Sequence, residues 1–310
     1  MEQPAINNQW AIPLYLNPSP PESPNNALIG VSVGNSPFHK LVFDTGSIGV
    51  LIARDSIGKD VRITNIPFKR NYPARTIEGY IGYGPVTLEN SSGEQITLPN
   101  FPLLIANGSS VPMPGGIGNF GASIKAQMVN GVYIYSFFSA LSYGGDLKNG
   151  FITRISDSAV KVGLTKQDIE SFTSSTKMKP GKNNGQNFPV WNDRSLSNCY
   201  SIENTKFSDI TLSTIFDTGG ENTHFFVNQD LIPSAVHNGV LEPGESFQAK
   251  VFDLPELIWQ YTSGEVQAYN RILFYSDNEE QWANMGFRFF RDYYVMFNVA
   301  DGVLGILSAK

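Results

Sequence analysis

The chain has 310 residues, with 22 basic against 28 acidic side chains (net charge −6), 41% hydrophobic residues and 16% charged residues. That composition supports a sizeable buried core, and 29 Gly with 19 Pro in no short period exclude collagen, coiled coil and disorder as the main state. Lys and Arg form no stripe that would serve nucleic acid, and no run of 18 apolar residues exists to cross a membrane. The opening MEQPAINNQW has neither the basic nor the apolar region of a signal peptide, and Cys199 has no second cysteine to pair with. The three histidines, His39, His224 and His237, lack ligand spacing, so neither a metal site nor any other cofactor is expected.

In chain order, short strands are predicted over 11–16, 27–33 and 40–43, with an exposed Pro/Ser/Asn-rich loop at 17–26 and a turn through 34–37. Further strands follow at 80–88, 96–98 and 101–106, and the dominant period is two. Helices are few. Residues 165–173 open on Thr165, an N-cap candidate with Asp168 three residues on, and 228–238 is a second short candidate. Residues 177–187, KMKPGKNNGQN, are nearly devoid of apolar side chains and read as a linker. The expected lobes are therefore 1–176 and 188–310.

The chain repeats itself weakly. LVFDTGS (41–47) and TIFDTGG (214–220) are both an apolar strand ending in Phe-Asp-Thr-Gly, with Asp44 and Asp217 lying 173 residues apart. Each half carries a further glycine in an apolar setting, Gly116-Ile117-Gly118 and Asn284-Met285-Gly286-Phe287. One Asp-Thr-Gly is ordinary turn chemistry. Two, each at the end of an apolar strand and one per half, imply a duplicated β domain with a carboxylate from each copy. Like charges brought into contact raise one pKa and hold the other down, so such a pair shares a proton. A water between them loses a proton to one carboxylate while the other donates to a carbonyl oxygen. The threonines can bridge backbone across the pair, and the glycines allow close approach.

On these motifs the sequence resembles the pepsin-like aspartic proteases over most of its length. Asp44-Thr45-Gly46-Ser47 is similar to the first catalytic motif and Asp217-Thr218-Gly219 to the second, while 286–307 looks like the family's closing segment. Counting back from Gly79-Tyr80-Ile81-Gly82-Tyr83 puts Tyr72 at the flap tyrosine. The resemblance implies an all-β, bilobal fold with a central cleft, and an endopeptidase acting as a monomer on a peptide bound in extended conformation. It names Asp44 and Asp217 as catalytic and Thr45, Gly46, Ser47, Thr218 and Gly219 as their supports. The chain departs from the pattern at Gly220, Leu51 and Phe287, where the family has a hydroxyl, a Trp and an Asp. Together with the absence of disulfides, this suggests a bacterial-type or otherwise divergent member in which no pro-segment precedes the first strand.

Other readings compete. Gly116–Gly121 fits G-x-G-x-x-G, but a dinucleotide site needs a preceding strand, and a tight loop beneath Asp44 is the better expectation. Glu221 reads as a solvated loop carboxylate, His224 as a partly buried strand residue, and Ser47 lacks the surroundings of a serine nucleophile. A catalytically weak or inactive binding or inhibitor protein on the same fold is the alternative function. Asn/Ser/Tyr-rich composition points to a secreted or periplasmic protein, and the 22 basic residues to a mildly acidic working pH.

Overall fold

The computed structural model describes residues 5–18, 24–72, 75–108, 116–183, 187–254, 256–264 and 270–309. Two sheets dominate it, one of thirteen strands and one of nine. Among the described residues no helix is long and apolar enough to cross a membrane.

The duplication read from the two Asp motifs appears as one topology used twice. In the first lobe, His39–Asp44 pairs in parallel with Gly118–Ala122, which pairs antiparallel with Ile48–Ala53, itself parallel to Gln95–Ala106. In the second, Ile210–Ile215 pairs in parallel with Trp282–Asn284. That strand pairs antiparallel with Thr223–Val227, which runs parallel to Ile272–Ser276. Even the register repeats: Val42 and Ile215, each two residues before its Asp, face Asn119 and Asn284. Ile48–Ala53 is buried at every residue, as expected of a strand with both faces covered. Thr223–Val227 alternates instead, because one face meets the core and the other the cleft.

The lobes are tied together at their base. The terminal hairpin, Tyr293–Asn298 with Val303–Ser308, joins the thirteen-stranded sheet by pairing with Lys148–Arg154, so the chain's end crosses the division expected at 177–187. Lys177 closes the Ser174–Lys177 strand, which pairs with Val303–Ser308; residues 184–186 lie outside the described residues. Trp191 then anchors the returning chain by donating its indole N–H to the Val299 carbonyl (2.7 Å).

Several local expectations need correction. The loop at 17–26 is shorter, since strands Trp10–Pro18 and Pro24–Val33 pair up to Pro18 and Pro24, leaving 19–23 outside the described residues. The strands at 96–98 and 101–106 are one strand, Gln95–Ala106, which passes Pro99 opposite an irregularity between Gly84 and Val86. Residues 228–238 hold a single 3-10 turn, Gln229–Leu231, because Pro233 disfavours helix at the residue before it. The tight loop expected at 116–121 is mostly strand, Gly118–Ala122, lying beside Asp44. The 165–173 helix is found as Lys166–Ser171, with Thr165 and Asp168 exchanging both hydrogen bonds of a capping box. A second helix, Gly286–Asp292, buries Phe287, Phe289 and Phe290.

Aromatic rings fill both cores. Phe120 is fully buried, with ring centroids of Phe43, Phe137 and Phe138 at 6.4, 6.1 and 5.3 Å. Because Phe120 sits on the strand next to Asp44, its packing also sets that carboxylate's position. Phe120→Ala is expected to cost about 3–5 kcal/mol, read as a lower denaturant midpoint at unchanged slope.

Candidate active site

The two Asp-Thr-Gly turns meet at the floor of a cleft between the lobes, whose accessible volume is about 620 Å³. Their threonines make a reciprocal set of bonds across the pseudo-twofold. Thr45 Oγ1 donates to the Phe216 carbonyl and Thr218 Oγ1 to the Phe43 carbonyl, both at 2.7 Å. Each hydroxyl also accepts from the other's backbone N–H, at 3.1 and 3.0 Å. Both threonines are buried, so these four bonds are shielded from water, and leaving any partner unmade is costly. The glycines complete the fit. A Cβ on Gly46 would stand 2.4 Å from the Asp217 carboxyl carbon, and one on Gly219 would stand 2.4 Å from that of Asp44. Each motif thus presses its backbone against the other's carboxylate.

The two carboxylates are held unequally. Asp44 accepts from the backbone N–H groups of Gly46 and Ser47 (2.8 Å each), from the Ser47 hydroxyl (2.6 Å) and from Asn119 Nδ2 (2.6 Å). Asp217 accepts from the Gly219 N–H (2.7 Å) and from Asn284 Nδ2 (2.6 Å). Burial, then the neighbouring charge of Asp44 and a hydrogen bond with it, push the Asp217 carboxyl well above the usual carboxylate range. With four donors on one side and two on the other, the shared proton is favoured on Asp217.

Asn119 and Asn284 were not singled out from the sequence. They stand 75 and 67 residues after their aspartates, in Asn119-Phe120-Gly121 and Asn284-Met285-Gly286. The repeated Asn-apolar-Gly is their signal in the sequence. Asn284 also lies against Gly220, where the first motif has Ser47. A Cβ on Gly220 would come within 3.1 Å of Asn284 Nδ2 and 3.2 Å of the Asp217 Oδ2, so the amide occupies the space a side chain there would need. Asn284 is itself fixed by accepting from the Gly286 N–H (2.8 Å).

Tyr72 ends the strand Arg62–Tyr72, where it pairs with Arg75; residues 73–74 lie outside the described residues. It lines the cleft, and its hydroxyl is 3.4 Å from Asn119 Nδ2. Leu51 is fully buried across from Asn119, and Phe287 is buried with its N–H on the Gly220 carbonyl (2.6 Å). Glu221 and His224 both line the cleft. Burial lowers His224 to about 4, so its imidazole is neutral above that pH. His224, Tyr275, Phe226 and Trp282 stack in sequence across the second lobe's sheet, and the Arg194 guanidinium lies 4.2 Å over the Trp282 ring.

This architecture has solved counterparts. A crystal structure of an aspartic proteinase from Irpex lacteus aligns with a TM-score of 0.62 at 13% identity, over 97% of each chain. Basic 7S globulin from soybean aligns with a TM-score of 0.59 and a protein named edgp with 0.63, each at 11% identity over 98% of this chain and 96% of theirs. The fold is the pepsin-like one. No family model matches the chain, and no curated protein matches it by sequence. At these identities the likeness is one of fold.

The raised Asp217 carboxyl has a consequence for stability. Folded Asp217 keeps its proton to higher pH than the unfolded chain does, so between the ordinary carboxylate range and the raised value the folded state binds more protons. Stability therefore falls as pH rises through that window. Asp217→Asn is expected to flatten this fall in pH-dependent denaturation. Asn284→Ala removes a donor to the charged form and is expected to move the upper end of the window up by about one to two pH units, the worth of one hydrogen bond to a charged group.

Proposed function

We propose that the chain is an aspartic endopeptidase, and the observation that carries this reading is the reciprocal Thr45/Thr218 lattice, which holds two carboxyl groups against each other at the bottom of a peptide-sized cleft. A structural turn has no use for two mutually repelling acids beneath an open groove. In the proposed reaction Asp44, the carboxylate with more hydrogen-bond donors, takes a proton from a water. The resulting hydroxide attacks the scissile carbonyl carbon while Asp217 gives its proton to the carbonyl oxygen. Collapse of the tetrahedral diol returns that hydroxyl proton to Asp217, and Asp44 passes its proton to the departing amine, which leaves the pair in its starting state. Ser47 and Asn119 hold the Asp44 charge, Asn284 holds Asp217, and Tyr72 closes over the substrate from the flap.

The fold neighbour named an aspartic proteinase supports this assignment. The neighbour named a globulin favours a second reading, a groove that binds extended peptide without hydrolysing it, and Gly220 in place of a hydroxyl fits that reading as well. We place the protein outside the cytoplasm and working as a monomer on both readings.

Asp44→Asn and Asp217→Asn are each expected to lower kcat/KM on a mixed peptide library by roughly 100- to 10,000-fold with unchanged far-UV circular dichroism. Retained hydrolysis in either variant removes the mechanism. The pH–rate profile is expected to be bell-shaped, with its upper limb displaced above the ordinary carboxylate range because Asp217 titrates late. A peptide bearing a hydroxyl in place of the scissile carbonyl is expected to compete with substrate. Binding without any turnover selects the second reading.

A further inference from the structure

Four cations line the cleft, Lys69, Arg70, Lys125 and Arg194. Three have acidic partners: Lys69 with Glu78 at 3.0 Å, Lys125 with Asp193 at 2.7 Å, and Arg194 with Glu280. Arg70 has none among the described residues. Its one bond to a described residue runs from Nη1 to the Ile48 carbonyl, at 2.9 Å. A guanidinium carries five N–H donors and stays charged at any working pH, so most of this fork has no acceptor among the described residues.

Its placement is directed. Along the strand Arg62–Tyr72, side chains alternate between faces, and Lys69 and Asn71 are exposed while Phe68 is buried and Arg70 and Tyr72 are half-buried. Arg70 therefore shares the inner face of the flap with Tyr72, whose hydroxyl reaches the amide that holds Asp44. Its anchor, Ile48, lies four residues beyond Asp44. Ile48 follows Ser47, whose N–H and hydroxyl hold Asp44, so the bond to its carbonyl keeps the guanidinium within a few peptide residues of the dyad. Asp44 is held by its own four donors and is not the missing counter-ion. Half-burying a cation is costly unless an anion meets it.

We propose that Arg70 is a specificity-determining residue that receives an acidic side chain of the bound peptide, within two residues of the bond over the dyad. This rests on the groove being a peptide site, and it holds whether or not the peptide is cut. The planar fork suits a carboxylate bidentately, and such bonds are about twice as strong as neutral ones.

The test uses uncleavable peptides with a reduced scissile bond, matched in pairs with Glu or Gln at each of the two positions on either side, and titrated calorimetrically into the full chain. At one position the wild-type protein is expected to bind the Glu peptide about tenfold or more tightly than its Gln twin. In Arg70→Gln that ratio is expected to fall to near one, and in Arg70→Lys to lie between, with thermal melts confirming that the variants fold. Equal binding of the pair at all four positions by the wild-type protein, no binding of either, or a preference that survives in Arg70→Gln overturns the proposal. Hydrolysis of the parent peptides is measured in parallel. Charge selectivity without cleavage keeps Arg70's role and removes the endopeptidase, whereas cleavage without charge selectivity does the reverse.

Discussion

Two carboxyl groups pressed together are the constraint around which this chain is organised. Left free, Asp44 and Asp217 would separate, since like charges at contact distance repel and burial penalises both. They are held by groups that cannot give way. The threonine hydroxyls bond the opposite lobe's backbone, and the two glycines leave no space between one turn and the other's carboxylate. Around that lattice each lobe repeats one arrangement, in which a parallel neighbour strand brings an asparagine to the outer oxygen of the aspartate.

The pseudo-symmetry is incomplete, and its incompleteness has chemical content. Ser47 gives Asp44 a backbone N–H and a hydroxyl, whereas Gly220 offers Asp217 no hydroxyl. If the two sides were equal, the shared proton would have no preferred seat. The unequal donor sets favour one, on Asp217, so two identical side chains are placed in unlike surroundings. Asn284 lies beside Gly220 and bonds Asp217 as Asn119 bonds Asp44, so the difference between the sides comes from Ser47 alone.

The cleft walls differ more than its floor does. The second lobe presents a stack of rings from His224 through Tyr275 and Phe226 to Trp282, capped by Arg194. The flap presents a guanidinium and a phenol on one strand face. On the proposed reading, an extended peptide running between them would meet an aromatic surface on one side and hydrogen-bond donors on the other. Affinity and selectivity are thus separable from the chemistry at the floor.

Much of this was legible in the amino-acid order. Phe-Asp-Thr-Gly twice, each behind an apolar strand, announced duplication, because local rules bind a turn to the strand before it. The capping box at Thr165 was legible for the same reason. What failed was whatever depended on distant partners. Residues 228–238 looked helical until Pro233 is weighed, and Pro99 looked like a strand break although a facing irregularity absorbs it. Asn119 and Asn284 went unnoticed because an asparagine declares no role until a strand sets it beside a carboxylate. The sequence alone determined that two similar halves each carry one acid, since that information is local and repeated. Tertiary structure alone decided which amides hold those acids, which of the pair keeps the proton, and that Arg70 faces the groove without an acidic partner among the described residues. Those are properties of side chains brought together from strands far apart in the chain.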